Sequence, residues 1–178
     1  MEGAFRLLMH RYGTKVYRYC RAGLRDETLA EDVQSKVFEH AYRDLPTFDG
    51  KSHLRTWLFA IAHHRVLDAA KSRRRELAHL HADLRAEEAT HLPDSRPLAS
   101  EKILEKIHDE RLLAALADCL LELSPNVRSA VLLRYQMAFT FDEMAKILRA
   151  RAKTLEARVR RAMPVLRNCI ERRTGELV

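Results

Sequence analysis

Residues that interrupt a helix are scarce in this chain. Its 178 residues include only five glycines and five prolines, and apolar side chains recur three and four positions apart along most of its length. That spacing places apolar residues on one side of an α-helix. The sequence therefore predicts an all-α protein, with helices over residues 2–22, 28–43, 52–73, 101–121, 125–136, 140–148 and 152–171.

The breaks between these helices predict two domains. Pro46 and Gly50 lie in the connection between the second and third helices, and Asp26 or Thr28 can cap the start of the second helix. Ser124 before Pro125 is typical of a helix start. The stretch "HLPDSRPLAS" and its surroundings lack periodicity. We therefore expect small helical domains at residues 1–75 and 104–175, joined by a flexible linker at 76–103.

Composition excludes several classes of protein. No window approaches the roughly 18 apolar residues of a membrane span, and the N-terminus lacks the pattern of a signal peptide. These observations predict a cytoplasmic protein with no membrane insertion. Its three cysteines, Cys20, Cys119 and Cys169, are far apart and odd in number, so we expect reduced thiols in the core.

The positive charge of the chain lies in two separate blocks. The net charge is +7, and residues 146–173 hold ten Lys or Arg against two Glu, a local excess of +8. Residues 51–75 add a second excess of +6, and residues 76–102 between them carry −3. Two basic blocks predict two contacts with one polyanion, and nucleic acid fits better than a membrane because no lipid-inserting segment accompanies the charge.

The third predicted helix, within "HLRTWLFAIAHHRVLDAAKSRRR", has an apolar face and a basic end. Leu54, Trp57, Leu58 and Ile61 share one side and are predicted to pack in the core. Residues 71–75 follow the apolar part of the helix and include one lysine and three arginines. Such a charge run taken alone is as often a solvated surface as a binding site.

The C-terminal segment has the pattern of a helix-turn-helix. In "FTFDEMAKILRARAKTLEARVRRAMPVLRNCI", a short helix, a tight turn near residues 149–152 and a longer helix follow one another. Leu155, Val159, Ala162 and Leu166 form the buried stripe of the longer helix, which leaves basic residues on its other side. An α-helix of this kind fits the major groove of DNA. Basic helix pairs are common, so the pattern alone leaves a structural role open.

The chain contains, in order, the segments "HRYGTKVYRYC", "AEDVQSKVF", "LPTFDGKSHLRTWLFAIAHHRVLDAAKSRRR", a polar linker, "LLELSPNVRSAVLLRY" and the helix-turn-helix. In this order they resemble the extracytoplasmic-function group of bacterial RNA polymerase sigma factors, in the sigma-70 family. The most specific part is the "FDG.S.LRTWL..IA...VLD" pattern of region two. The region-four match is looser. Arg149 and Lys153 stand where the group usually or often has glycine, and Pro164 is atypical inside the last helix.

The resemblance implies an alternative sigma factor, which is not an enzyme and needs no cofactor or metal. Region two is expected to bind core polymerase through Glu31, Asp32, Ser35, Lys36, Phe38 and Glu39. It is expected to hold the opened minus-ten element through Phe48, Asp49, Gly50, Lys51, Ser52, Arg55, His63, His64, Lys71, Arg73 and Arg74. Region four is expected to read the minus-thirty-five element through Lys153, Thr154, Glu156, Ala157, Arg158 and Arg161. An anti-sigma factor often accompanies such proteins.

The polymerase-binding helix departs from the group at two positions. The usual glutamine and acid fall on Ser35 and Lys36, so a negative charge has become positive. Lys36 can simply pair with acids of its own helix. It can also weaken the contact with a basic polymerase surface, and a kinase could restore negative charge by phosphorylating Ser35.

Other functions remain as alternatives. A free-standing helix-turn-helix regulator would use the C-terminal helices without polymerase, and an adaptor would use the N-terminal helices to bind a protein. A specific metal site is not expected. Among the nine histidines, those adjacent in sequence point in different directions on a helix, and no closely spaced pair of cysteines accompanies them. No nucleophile motif or phosphate loop points to catalysis.

Overall fold

The computed structural model describes residues 2–83 and 101–175, with side chains in 2–76 and 109–175. Within these ranges the chain is helical and contains no strand, which confirms the predicted all-α class. The helices are α1 (Glu2–Leu24), α2 (Glu27–Asp44), α3 (Leu54–Asp83), α4 (Glu101–Glu122), α5 (Pro125–Val131), α6 (Phe141–Leu148) and α7 (Ala152–Thr174). A 3-10 turn at Leu45–Thr47 follows α2, and a π-helical segment at Leu132–Gln136 continues α5.

Helices α1 to α3 form the first unit. Its core contains Val16, Tyr19, Val37, Leu58 and Phe59, all fully buried. The side chain of Asp26 caps α2 by accepting a hydrogen bond of 2.9 Å from the backbone N–H of Leu29. Helix α3 continues past residue 75 to Asp83, so the helix extends into the segment predicted as a linker. The remainder of that predicted linker up to residue 100 lies outside the described residues.

Helices α4 to α7 form the second unit, and a disulfide joins its first and last helices. Cys119 of α4 and Cys169 of α7 are bonded, with their Cα atoms 5.8 Å apart. The prediction of three reduced thiols is therefore wrong for this pair. Fifty residues separate the two cysteines, so no local spacing signalled their proximity. Cys20 is free and buried as expected, and burial raises the pKa of its thiol to about 12.

The helix-turn-helix is formed by α6 and α7. Thr140 and Glu143 make a capping box at the start of α6, with the Thr140 hydroxyl accepting from the Glu143 backbone and the Glu143 carboxylate accepting from the Thr140 backbone. Arg149 ends α6 in the left-handed region at φ 49°, a conformation that favours glycine. Helix α7 runs continuously through Pro164.

The two units pack against each other, an arrangement that the sequence did not predict. The buried guanidinium of Arg128 in the second unit donates to the carbonyl of Gly23 in α1 at 2.5 Å. The rings of Phe59 and Phe139 meet edge to face with centroids 5.2 Å apart. At the edge of the contact, Arg25 Nη1 lies 2.7 Å from Asp118 Oδ1. Polar and aromatic contacts therefore hold α1 and α3 to α4, α5 and the residues before α6.

Candidate nucleic-acid interface

Helix α7 presents the predicted DNA-reading residues on the side opposite its packed stripe. Leu155, Val159 and Ala162 are buried against the second unit. Lys153, Thr154, Glu156 and Arg161 are exposed, and Ala157 and Arg158 are partly exposed. Arg161 Nε also donates to the carbonyl of Ala157 at 3.2 Å. The exposed face can thus offer one acid and several cations to a nucleic acid.

The loop before α3 is fixed by its own side chains. Asp49 Oδ1 accepts from the backbone N–H of Lys51 at 3.1 Å, and its Oδ2 lies 2.6 Å from the Lys51 ammonium. The lysine ammonium, followed by that N–H, lowers the pKa of the Asp49 carboxyl. Gly50 between them adopts φ 72°, which a side chain would strain. The loop therefore keeps a defined shape while Asp49, Gly50 and Lys51 stay exposed and Ser52 partly so.

Phe48 and Trp57 form an aromatic pair beside this loop. Their ring centroids are 5.2 Å apart, and both rings are partly exposed. The sequence predicted Trp57 in the core with Leu54, Leu58 and Ile61, but only Leu58 is fully buried, and the other three pack at its edge. A partly exposed aromatic surface beside a loop that carries an exposed lysine is a combination on which an unstacked base can stack.

The middle of α3 differs from the prediction at His63. Its side chain is only 3% exposed, and the Tyr19 hydroxyl lies 3.4 Å from its Nδ1. Burial, with a smaller effect from His64, lowers the pKa of His63 to about 4, so the imidazole is neutral. A neutral, buried ring cannot line the path of a DNA strand, and the prediction for His63 is wrong in this arrangement. His64 remains partly exposed.

Arg55 lies at the contact between the two units. Its guanidinium carbon is 3.9 Å from the centroid of the Phe139 ring, and one Nη donates to the carbonyl of Met137. Its Nε is buried and has no hydrogen-bond acceptor among the described residues. The side chain that was predicted to face DNA is therefore covered by the second unit.

The basic end of α3 is only partly free. Arg73 donates to the carbonyl of Leu24 at 3.2 Å and lies 3.4 Å from Asp26, so it also tethers α3 to the α1–α2 turn. Lys71 and Arg74 are exposed. Lys71 and Arg73 line a groove of about 1000 Å³ between α2 and α3, whose walls carry charges of both signs.

The exposed face of α2 carries most of the predicted polymerase-binding residues. Glu31, Asp32, Ser35, Lys36 and Glu39 are exposed. Lys36 Nζ lies 2.6 Å from Asp32 Oδ2, which is the local pairing that the sequence allowed. Phe38 is 5% exposed and packs edge to face on Phe5, so its contribution is to the core.

A shallow apolar groove adjoins this face of α2. It has a volume of about 480 Å³ and is lined by Phe5, Met9, Gln34, Ser35, Phe38, Glu39 and Tyr42. The exposed acids and lysine of α2 therefore border an apolar surface, and together these offer both charged and hydrophobic contacts to a protein partner.

Sequence reasoning missed two residues that organise these surfaces, Arg128 and Phe139. Arg128 stands in a plain helical stretch, and only its burial in the folded chain reveals its role. Phe139 directly precedes Thr140, the N-cap of α6. An apolar residue at that position often packs against the following helix, so the sequence could have indicated that Phe139 is buried. Among the described residues, no group of three or more His, Cys, Asp or Glu could hold a metal ion, and no helix is long and apolar enough to cross a membrane.

Comparison with known families gives two matches in chain order. The family model for Sigma-70 region 2 matches residues 8–76, and that for Sigma-70, region 4 matches residues 113–163. The chain is 27% identical to the ECF RNA polymerase sigma factor SigX of Bacillus subtilis, over 100% of this chain and 89% of that protein. It is 28% identical to the ECF RNA polymerase sigma factor SigK of Mycobacterium tuberculosis, over 96% and 87%.

Two solved structures share the fold. The sigma factor RpoE, in complex with the anti-sigma factor NepR from Bartonella quintana, has a TM-score of 0.71 and 20% identity, with 94% of this chain and 97% of that chain covered. CnrH, in complex with the cytosolic domain of CnrY, has a TM-score of 0.69 and 23% identity, with 97% and 90% covered.

Proposed function

This chain belongs to the extracytoplasmic-function group of the sigma-70 family, and on that premise we propose that it is an alternative sigma factor. It binds core RNA polymerase and directs promoter recognition, strand opening and transcription initiation. The observation that carries the proposal is the presence of both sigma-70 regions, in order, within one chain. The function is one of binding rather than catalysis, and it places the protein in the cytoplasm, where the polymerase works.

Reading of the minus-thirty-five element is assigned to α7. In a domain spanning residues 104–175, the exposed side of this helix enters the major groove, where its first turns reach base edges. Support comes from the exposure of Lys153, Thr154, Glu156 and Arg161 opposite a fully packed stripe. Ala157 and Arg158 flank them, and Arg158 is the candidate for a base contact.

Holding of the opened minus-ten element is assigned to the loop before α3, in a domain spanning residues 1–75. Phe48 and Trp57 supply an aromatic surface, and Asp49 to Ser52 supply polar groups for an unstacked base. Lys71, Arg74 and the partly exposed His64 supply cations or polar groups along the strand. Arg55 and Arg73 can add to them only by giving up their contacts with Phe139 and Asp26. This assignment is supported by the fixed shape of the loop and by the exposure of Lys51.

Binding of core polymerase is assigned to the exposed face of α2. The Lys36 and Asp32 pair partly neutralises that face, and a pair so exposed contributes roughly 0.2–1 kcal/mol. If Lys36 weakens a contact with a basic polymerase surface, Lys36→Glu binds polymerase more tightly, and the gain shrinks as salt rises. Phosphorylation of Ser35 by a kinase would act in the same direction, with Ser35→Glu as its mimic.

An anti-sigma factor is the protein partner that regulates this activity. The sigma factor RpoE, which shares the fold, was solved with the anti-sigma factor NepR, and CnrH, which also shares it, was solved with the cytosolic domain of CnrY. The apolar groove lined by Phe5, Met9 and Tyr42 next to the charged face of α2 offers one surface for a partner.

The test is to mix the purified chain with bacterial core polymerase and to measure complex formation by size-exclusion chromatography. Transcription from fragmented genomic DNA is measured with and without the chain. A stable complex that initiates transcription supports the proposal. Tight, sequence-specific duplex binding by the chain alone, with no polymerase complex, would instead identify a free-standing helix-turn-helix regulator.

A further inference from the structure

We propose that a basic stripe on α1 binds the phosphate backbone of duplex DNA without reading its sequence. The stripe consists of Arg11, Lys15, Arg18 and Arg21. It is a third DNA contact, added to the proposed sigma-factor function on which it rests, and it uses neither the loop before α3 nor the exposed face of α7. The stripe also lies outside the two basic blocks at residues 51–75 and 146–173.

Helices α1 and α2 carry opposite net charges. Helix α1 holds five Lys or Arg against Glu2, a net of +4. Helix α2 holds five Asp or Glu against Lys36 and Arg43, a net of −3. The two charges nearly cancel when they are summed, so the net charge of the chain does not reveal the cluster on α1. The first unit therefore presents a basic helix next to the acidic helix that is assigned to polymerase.

The cations of the stripe lie on the side of α1 that faces away from the core. Positions 11, 15 and 18 are four and three residues apart, and this spacing makes them neighbours on one side of a helix. All three are exposed and Arg21 is partly exposed, whereas Val16 and Tyr19 on the other side are fully buried. At 1.5 Å per residue the stripe is about 15 Å long, a length over which duplex DNA carries roughly nine phosphates.

The stripe has no acidic partner within the part of the chain that the structure describes. Other exposed cations are paired there, such as Lys36 with Asp32 and Arg73 with Asp26. The four cations of the stripe form no ion pair with any described residue. Like charges three and four residues apart destabilise a helix. A bound polyanion would offset this repulsion, and solvent alone would not.

The C-terminal end of the stripe borders a cleft between α1 and the second unit. The cleft has a volume of about 380 Å³ and is lined by Tyr17, Arg18, Arg21, Ala22, Arg25, Ala117, Leu120 and Gln136. Tyr17 and Gln136 supply a hydroxyl and an amide, which can donate hydrogen bonds to a phosphate. Arg25 pairs with Asp118 at 2.7 Å and is therefore not part of the stripe. Cations accompanied by neutral donors are the usual composition of a contact with the DNA backbone.

The other residues on this side of α1 favour duplex DNA over a single strand or a membrane. Thr14 and Ala22 stand among the cations, and the rings of Tyr12 and Tyr17 at the edges are partly buried, so unpaired bases find little surface for stacking. A membrane-binding helix has several large apolar side chains beside its cations, and Leu7, 70% exposed, is a single one. The outer phosphates of a duplex need only cations and donors.

The experiment measures binding of the full chain to two fluorescent duplexes of unrelated sequence by anisotropy, at several salt concentrations between about 50 and 200 mM. The stripe variant is Arg11→Gln/Lys15→Gln/Arg18→Gln. The matched control is Arg43→Gln/Arg111→Gln/Arg172→Gln, which removes the same three charges from exposed positions on α2, α4 and α7. A third variant, Arg11→Lys/Arg18→Lys, keeps every charge of the stripe.

The stripe variant should reduce the slope of log Kd against log salt by about 2.7, at ~0.9 for each lost phosphate contact, and equally on both duplexes. Its affinity at about 50 mM salt should fall at least about tenfold. The control should keep the wild-type slope to within about 1, and the lysine variant should keep it fully, because a phosphate contact needs the charge rather than the guanidinium fork. Thermal melts should show the stripe variant at least as stable as wild type, because repulsion between like charges is removed.

An unchanged slope in the stripe variant overturns the inference, and so does an equal loss in the control or a loss on one duplex only. If circular dichroism shows that the triple variant has lost its helices, Lys15→Gln decides the question, with an expected fall in slope of about 0.9. An unchanged slope together with lost binding to phosphatidylserine vesicles would assign the stripe to a membrane. An unchanged slope together with lost binding to core polymerase would assign it to polymerase.

Complex formation between the wild-type chain and core polymerase separates this proposal from the sigma-factor function. If the complex forms and initiates transcription but the stripe variant keeps its slope, only the stripe contact fails. If no complex forms but the slope falls as expected, the stripe contact stands and the sigma-factor function fails.

Discussion

Arg128 is expected to be the most stabilising single side chain in the contact between the units. Its guanidinium donates to the carbonyls of Leu120 at 2.8 Å, Leu121 at 2.9 Å, Leu123 at 3.1 Å and Gly23 at 2.5 Å. Three of these acceptors lie at or just past the C-terminus of α4, where helix carbonyls lack partners within the helix. The Arg128 guanidinium therefore caps the C-terminus of α4 and also binds α1 through the carbonyl of Gly23.

The size of the effect follows from two opposing contributions. Hydrogen bonds from a charged donor contribute about 1.5–3 kcal/mol each, so four of them would give roughly 6–12 kcal/mol. Burial opposes this, because it removes the charge from water, as the lowered pKa of Arg128 indicates. We expect Arg128→Met to lower the free energy of unfolding by about 3–5 kcal/mol, since it leaves buried carbonyls without a donor.

The assay is urea unfolding followed by circular dichroism at 222 nm. Arg128→Lys keeps the charge but loses the fork of donors, so its loss should lie between wild type and Arg128→Met. Arg134→Met is the comparison variant, because Arg134 makes one such bond, at 3.0 Å to the carbonyl of Phe139, beside a contact of 4.9 Å with the Phe141 ring, and should lose about 1.5–3 kcal/mol, less than Arg128→Met. A loss below about 1 kcal/mol for Arg128→Met would refute the assigned role.

Three further changes test other parts of the structure. Reducing the Cys119–Cys169 bond, which closes a loop of 50 residues, should destabilise the second unit by about 4 kcal/mol in urea unfolding with and without dithiothreitol, and a Cys20→Ser variant should respond equally. The pKa of His63 is about 4 in the folded chain, below its unfolded value near 6.5. The stability that the neutral ring contributes is therefore fully present above pH 6.5, and the free energy of unfolding should fall by about 3 kcal/mol as the pH drops towards 4. The neighbours of this ring are the Tyr19 hydroxyl and His64, and a His63→Gln variant should lack that part of the pH dependence in thermal melts. Arg149→Gly should raise the free energy of unfolding by about 1 kcal/mol, since glycine adopts φ 49° without strain; an unchanged midpoint in urea would reject this reasoning.

Local features of the fold could be predicted because local physics determines them. The spacing of apolar residues predicted every helix to within a few residues except the end of α3, and the turn at Arg149 was predicted from the pattern around it. Asp26 and Thr28 were equal candidates for the cap of α2, and the structure selects Asp26. Capping chemistry and helical period act over a few residues, so the sequence records them directly.

Features that depend on distant residues were missed. The Cys119–Cys169 bond joins helices that meet only after folding, and His63 is buried with its ring beside the Tyr19 hydroxyl of another helix. Helix α3 continues to Asp83, past the basic block, although the lack of periodicity after residue 75 and the stretch "HLPDSRPLAS" had indicated a linker. The position of Arg55 beneath Phe139 could not be read from either segment alone.

The central claim is that this chain directs polymerase to promoters, and mapping of transcript 5′ ends tests it most directly. Core polymerase with wild-type chain on fragmented genomic DNA should start transcription at sites that share one pair of upstream sequence elements. Holoenzyme with Arg158→Ala should still form, while binding to those promoters weakens by about 1–3 kcal/mol, if Arg158 contacts a base edge. Start sites that are the same with and without the chain would contradict the account.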